Sequence, residues 1–169
     1  MRTFMYFVLC VFLNAPYSTG FHSGAPVEAC DSMLPRHLHT SAKPGEDSPF
    51  IFTASAGSFH PDSKRRKIKV KIRGAPFKGF FVVALNADTH ERLGEFLSAR
   101  GMEPVPCSAV THSDGRPKVM ASMVWQPPPD MKRGEVIFAC TIFTKLESER
   151  GYEFTNGDIY GPLLSSFTS

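Results

Sequence analysis

The sequence lacks the features that would mark it as a membrane protein, an N-glycoprotein or a familiar enzyme. Its longest apolar run covers about ten residues, Phe4 to Leu13, whereas a transmembrane helix needs about 20. None of its three asparagines begins an Asn-X-Ser/Thr acceptor. It has no Gly-X-Ser-X-Gly motif and no glycine-rich phosphate loop. We therefore expect no stable membrane anchor, no N-linked glycan and no enzymatic activity.

The first 20 residues have the layout of a secretory signal peptide. Arg2 precedes the apolar run, and the small residues from Ser18 to Gly20 suit a processing site. We expect cleavage just before Phe21, and an extracellular, secreted protein. The remaining residues are enough for one domain that buries a core and needs no cofactor to fold.

Three cysteines lie beyond the signal peptide, an odd number for an oxidising compartment. Cys140 falls in an apolar run, whereas Cys30 and Cys107 have polar surroundings with nearby prolines. We therefore predict a disulfide between Cys30 and Cys107. Cys140 is interpreted as a small buried hydrophobic residue in a monomer, with a disulfide-linked dimer as the alternative.

Short apolar runs separated by turn residues predict an all-β sandwich. Lys67–Arg73 alternates strictly between basic and apolar residues, which is typical of a half-buried strand. Gly79–Leu85 and Glu135–Thr144 are apolar on both faces, as in central strands. The other candidate strands are Pro49–Ser55, Gly94–Leu97, Val105–Thr111 and Lys118–Gln126.

The domain is expected to span residues 21–150. Residues 21–49 are rich in proline and predict an irregular N-terminal stretch that lies across the core and is pinned by Cys30. Residues 151–169 are interpreted as a C-terminal tail, in which Tyr152–Phe154 can add an edge strand before the chain frays.

Positive charge is concentrated in one segment. Between residues 64 and 78 there are eight basic residues and no acidic one, although the whole chain has 19 basic and 16 acidic residues. Basic side chains at alternate strand positions can meet the repeated negative charges of sulfates, phosphates or lipid head groups. The predicted anion-binding residues are Lys64, Arg65, Arg66, Lys67, Lys69, Lys71, Arg73 and Lys78.

Two other interpretations of this segment remain open. Lysines also protect a solvated edge strand from pairing with other chains, and Arg65–Arg66 could be a processing site. Nucleic acid is not expected as a partner, because the protein is predicted to work outside the cell.

The histidines give only a weak indication of a metal site. His37 and His39 are alternate residues and could face one ion, but a third ligand such as His22 or Asp31 would depend on the fold. We interpret these histidines as exposed loop residues and predict no metal. Glu153 and Asp158 could pair as two carboxylates, but they are interpreted as solvated, and we predict no catalytic residues.

A series of landmarks resembles the Reeler domain, a module of reelin and the spondins that also forms whole small secreted defence proteins of invertebrates. The landmarks occur in order over most of the chain: Gly24–Pro26, Cys30, Met33–His37, Pro49–Phe50, Ile68–Ile72, Phe77–Phe80, Gly94–Phe96, Cys107, Val110–His112, Trp125–Pro127 and Gly134–Phe138. The resemblance implies an immunoglobulin-like antiparallel β-sandwich with a disulfide at the positions of Cys30 and Cys107. It carries over no catalytic residues.

The resemblance also directs the functional expectation. Single-domain relatives are associated with innate immunity, so we predict a non-enzymatic antibacterial or antiparasitic defence protein that binds anionic microbial surface components. The alternative is an extracellular matrix or adhesion module that binds glycosaminoglycan or a receptor through the same basic residues.

Overall fold

The computed structural model describes residues 24–33, 42–43, 48–61, 66–144 and 159–167. Within these ranges the chain is almost entirely β-structure, with one short helix, α1 (Ala29–Ser32). The strands in chain order are β1 (Ala42–Lys43), β2 (Phe50–Ala54), β3 (Ser58–Phe59), β4 (Ile68–Phe77), β5 (Gly79–Asn86), β6 (Glu95–Phe96), β7 (Met102–Val105), β8 (Ala109–His112), β9 (Lys118–Gln126), β10 (Gly134–Phe143), β11 (Ile159–Leu164) and β12 (Ser166–Phe167).

These strands form two sheets, which confirms the predicted β-sandwich. The larger sheet has the order β1-β11-β10-β5-β8-β7, with β3 also paired to β10. The smaller sheet has the order β12-β2-β4-β9-β6. Neighbouring strands are antiparallel except for the pairs β1–β11 and β12–β2.

The core lies between the two sheets and is built around aromatic rings. Trp125 of β9 is fully buried, and its ring meets Phe138 of β10 edge-on at a centroid distance of 5.7 Å. The indole Nε1 donates a hydrogen bond of 2.9 Å to the carbonyl oxygen of Leu93. A buried tryptophan N–H needs such a partner, so the segment before β6 is fixed against the core.

Strand β4 confirms the predicted alternation but has an unexpected position. Ile68, Val70 and Ile72 are fully buried in the core, and the basic residues between them are exposed. The interpretation of β4 as a lysine-protected edge strand is wrong, because β4 pairs with β2 on one side and β9 on the other. Its lysines lie in the middle of the smaller sheet.

An N-terminal strap, residues 24–33, covers the outer face of the larger sheet. The disulfide between Cys30 and Cys107 joins it to the turn between β7 and β8, with a Cα–Cα distance of 6.1 Å. Ala29 and Cys30 pack against a second apolar cluster on that face, with Phe81 and Val83 of β5. This confirms the prediction of an N-terminal stretch held by a disulfide.

Polar contacts fix the same strap at both ends and in the middle. The backbone N–H of Ala25 donates to Thr111 Oγ1 at 3.0 Å, and Thr141 Oγ1 donates to the carbonyl oxygen of Met33 at 2.7 Å. Arg92 Nη2 donates to the carbonyl oxygen of Cys30. Burial lowers the pKa of the Arg92 guanidinium, and the nearby Asp31 partly opposes this shift.

The segment around Cys107 corrects one predicted strand. Val105–Thr111 was expected to be continuous, but β7 ends at Val105 and β8 begins at Ala109. Pro106 has no N–H for a strand ladder, and Ser108 has a positive φ of 55°. The chain therefore turns here, and the turn presents Cys107 to the strap.

The C-terminal residues contribute to both sheets. The expected strand at Tyr152–Phe154 lies outside the described residues, but β11 and β12 form further along, where fraying was expected. Strand β11 pairs with β10, whose peptide groups would otherwise lack partners on that side. The chain then crosses at Ser165 and adds β12 beside β2 in the smaller sheet.

Cys140 is free and fully buried in the core between the sheets. This confirms its interpretation as a buried apolar residue, and burial raises the pKa of its thiol well above the usual value. The thiol is inaccessible to a second chain in this fold. The predicted signal peptide, His22, His37 and His39 lie outside the described residues. No helix within the described ranges has the length and apolarity needed to cross a membrane.

Candidate functional site

The outer face of the smaller sheet carries the basic residues of β4. Because side chains alternate along a strand, Lys69, Lys71 and Arg73 project from the same face, at intervals of about 6.6 to 6.8 Å. All three are exposed. We call the outer face of β2, β4 and β9 the open face, because most of its side chains are exposed, although Thr53 of β2 is buried.

The neighbours of these three residues are given by the strand register. Arg73 lies between Ile51 of β2 and Met120 of β9. Directly paired residues in a sheet project from the same side. We call each set of paired side chains across the three strands a row, and this row has a basic side chain between two apolar ones. Ile51 is 57% exposed and Met120 is 58% exposed.

The next two rows are more polar. Lys71 lies between Thr53 and Ser122. Lys69 pairs with Val124, and its backbone N–H donates to Ser55 Oγ at 3.0 Å. The open face therefore has an apolar end at Arg73 and a polar end at Lys69, with a positive charge in each row.

Acidic residues are absent from the strands that form the open face. Strands β2, β4 and β9 contain neither aspartate nor glutamate. The edge strand β6 of this sheet contains Glu95, whose Oε1 accepts a hydrogen bond of 2.6 Å from Gln126 Nε2. Among the described residues, none of the three basic side chains forms an ion pair. The three middle strands therefore carry positive charge without an acidic residue among them.

The structure separates the other predicted basic residues. Lys67 is exposed immediately before β4 and extends the series of basic residues. The Arg66 guanidinium is already hydrogen-bonded, because its Nη2 donates to the carbonyl oxygen of Met131 at 2.8 Å. Lys78 is half-buried in the turn between β4 and β5, and Lys64 and Arg65 lie outside the described residues.

Lys118 begins β9 but has a structural role. Its Nζ donates to Asp114 Oδ1 at 2.9 Å and to the carbonyl oxygens of Asp114 at 2.7 Å, Arg116 at 2.8 Å and Lys78 at 3.2 Å. Hydrogen bonds from Arg116 and Lys118 hold the pKa of the Asp114 carboxyl well below its usual range. Lys118 therefore fixes the β8–β9 connection and is not free to bind a ligand.

The sequence did not indicate the apolar members of the open face. Ile51 alternates with the buried Phe50 and Phe52, and Met120 with the buried Ala121, so the period-two pattern was present. Their proximity to Arg73 depends on which strands flank β4, and this long-range pairing could not be inferred from the pattern.

The chain matches proteins of two kinds. The Reeler domain family model covers residues 28–148. A Drosophila melanogaster protein named "Putative ferric-chelate reductase 1 homolog" is 32% identical over 132 residues, which are 70% of this chain and 20% of that protein. The Bos taurus "Ferric-chelate reductase 1" is 26% identical over 162 residues, 90% of this chain and 25% of that protein. This chain therefore spans a quarter or less of these reductases.

A Bombyx mori protein of similar extent also matches. It is named "Putative defense protein" and is 28% identical over 151 residues, which are 83% of this chain and 85% of that protein. Among solved structures, the human F-spondin reeler domain has a TM-score of 0.54 and 20% identity, over 79% of this chain and 98% of that chain. A second structure, the Reelin-N domain of F-spondin, has a TM-score of 0.52 and 21% identity, over 76% and 90%.

These structural matches show the same fold. The family match covers most of the chain and includes both disulfide cysteines and the whole of β4. The chain therefore belongs to the Reeler domain family.

Proposed function

We propose that this protein is a secreted, non-enzymatic defence protein that binds anionic components of microbial surfaces through the open face. The observation that carries the proposal is that Lys69, Lys71 and Arg73, which form no ion pair with any described residue, lie in the centre of a sheet whose three middle strands contain no acid. Lysine and arginine bind phosphate and sulfate through charge-assisted hydrogen bonds. A ligand with repeated anionic groups can contact several of these three basic residues at once.

Two further observations support this proposal. The Cys30–Cys107 disulfide is typical of a protein that folds in an oxidising compartment and works outside the cell. The Bombyx mori relative is matched over most of its length and its name refers to defence. The reductase relatives are matched over a quarter of their length or less, so their named activity gives no reason to propose catalysis here.

The test is a charge reversal on the open face with a matched control. The variant Lys69→Glu, Lys71→Glu, Arg73→Glu and the control Arg100→Glu, Lys132→Glu, Arg133→Glu change the net charge equally, and all six residues are exposed. We expect about a tenfold or greater loss of retention on immobilised lipopolysaccharide for the open-face variant, and little change for the control. Retention of the unsubstituted protein should fall as salt rises.

Two results would contradict the proposal. Equal losses in the two variants would indicate that net charge, not the open face, determines retention. Unchanged lipopolysaccharide retention in the open-face variant, together with lost retention on heparin, would favour the matrix or adhesion function. Thermal unfolding of each variant shows whether the fold is intact.

A further inference from the structure

The apolar end of the open face has a composition that a polar ligand does not explain. Ile51 and Met120 flank Arg73 in one row and are more than half exposed. Val119, next to Met120, is 63% exposed. The water-facing side of an antiparallel sheet is ordinarily polar, and clustered exposed apolar residues mark interaction sites.

A bulge in β4 lies beside the apolar end of the open face. The register runs regularly to the pair Arg73–Met120 and resumes only at Phe77–Lys118. Val119 lies opposite this irregular segment, which contains Gly74 and the exposed Pro76. Gly74 has a φ of +142°, and a Cβ there would lie 2.3 Å from the carbonyl oxygen of Pro49. The bulge therefore requires glycine.

The order of the rows matches the order of layers at a membrane surface. Lys69 and Arg73 are four residues apart, about 13 Å along the strand. The apolar end can enter the boundary between head groups and acyl chains, where an arginine keeps its charged group at the phosphates while its stem lies in apolar surroundings. Lys71 and Lys69, with Thr53, Ser122 and Ser55 nearby, would remain among the head groups. A sulfated polysaccharide offers no partner for the apolar end.

We infer that the open face docks on anionic phospholipid membranes, with Ile51 and Met120 inserted at the acyl-chain boundary and Lys69, Lys71 and Arg73 on the lipid phosphates. This inference rests on the proposed function for the basic residues and adds the class of ligand. Charge complementarity supports the choice of anionic lipid, because every charged residue in the three strands of the face is basic.

The experiment removes the apolar groups and keeps the charges. The variant Ile51→Thr, Met120→Thr places β-branched side chains, which suit strands, at both positions. Its control, Val27→Thr, Leu164→Thr, removes exposed apolar groups from the strap and from β11. Binding is measured by flotation with vesicles of phosphatidylglycerol and phosphatidylcholine, and by retention on heparin, which has sulfates without acyl chains.

We expect the open-face threonine variant to bind these vesicles about tenfold more weakly and to bind heparin within about twofold of the unsubstituted protein. The control should bind both normally. Unchanged vesicle binding by the threonine variant would overturn the inference, and so would an equal loss on vesicles and heparin. If the charge-reversed variant loses lipopolysaccharide and vesicle binding while the threonine variant loses neither, the proposed function stands and only the membrane docking fails.

A second readout measures insertion directly. Trp125 is fully buried, so the indole introduced by Met120→Trp would be the exposed one. Lipids brominated on the acyl chain should quench the added fluorescence when vesicles contain phosphatidylglycerol. Absence of quenching while the protein is vesicle-bound would contradict insertion of this end of the face.

Discussion

The two outer faces of this sandwich differ in how far other parts of the chain cover them. On the larger sheet, the strap covers an apolar surface and is held by a disulfide and by hydrogen bonds from Arg92, Thr141 and the Ala25 backbone. On the smaller sheet, the open face leaves charged and apolar side chains exposed in the centre. The covered face therefore contributes to stability, whereas the open face is the surface that we propose to bind a ligand.

The largest expected effect comes from uncoupling the strap. Cys30→Ser with Cys107→Ser removes a cross-link with a sequence separation of 77 residues, which corresponds to roughly 4 to 5 kcal/mol in the chain-entropy model. Chemical denaturation should show a loss of this order. Cys140→Val, which removes a thiol but no cross-link, is the control. A loss below about 1 kcal/mol in the double serine variant would show that the strap's packing suffices without the bridge.

A smaller effect is expected at Arg92, which holds the strap without a covalent bond. Arg92→Ala removes the donor to the Cys30 carbonyl oxygen, and a hydrogen bond from a charged group is worth about 1.5 to 3 kcal/mol. Hydrogen exchange should become faster in residues 24–33 before it changes in β4. Arg92→Lys should recover part of the loss. Equal acceleration in the strap and in β4 would contradict a local role.

The smallest effect is expected at the connection between the sheets, where β8 leads to β9. The Asp114 carboxyl has a lowered pKa in the folded protein, so its contribution is fully present above the unfolded-state pKa of about 3.9 and is lost as the pH falls toward the folded-state value. Asp114→Asn should therefore lower the melting temperature slightly at pH 7 and leave it unchanged at strongly acidic pH. Its solvent exposure keeps the effect below that of Arg92. A larger difference at acidic pH than at pH 7 would contradict this assignment.

The comparison of the faces also shows what the sequence could and could not predict. The alternation in β4 correctly gave its buried and exposed sides, and the surroundings of the cysteines gave the disulfide. Strand order was not predictable, because a period of two identifies a face but not the neighbouring strand. For this reason the position of β4 was missed, and with it the contact between Arg73 and the apolar pair Ile51 and Met120.

The other missed elements are one short helix and the two C-terminal strands. Helix α1 has four residues, too few for a helical period to be visible. Strands β11 and β12 were missed because their formation depends on the pairing edges offered by β10 and β2, which lie far away in sequence.

The order of the cysteines along the chain has a consequence for biosynthesis. Cys30 and Cys107 both precede Cys140, so in the secreted protein that we propose, the two correct partners enter the oxidising compartment before the third thiol does. When β10 then pairs with β5, the sulfur of Cys140 becomes enclosed in the core. Vectorial synthesis thus favours the correct bridge by timing, and the finished sandwich protects it from later exchange.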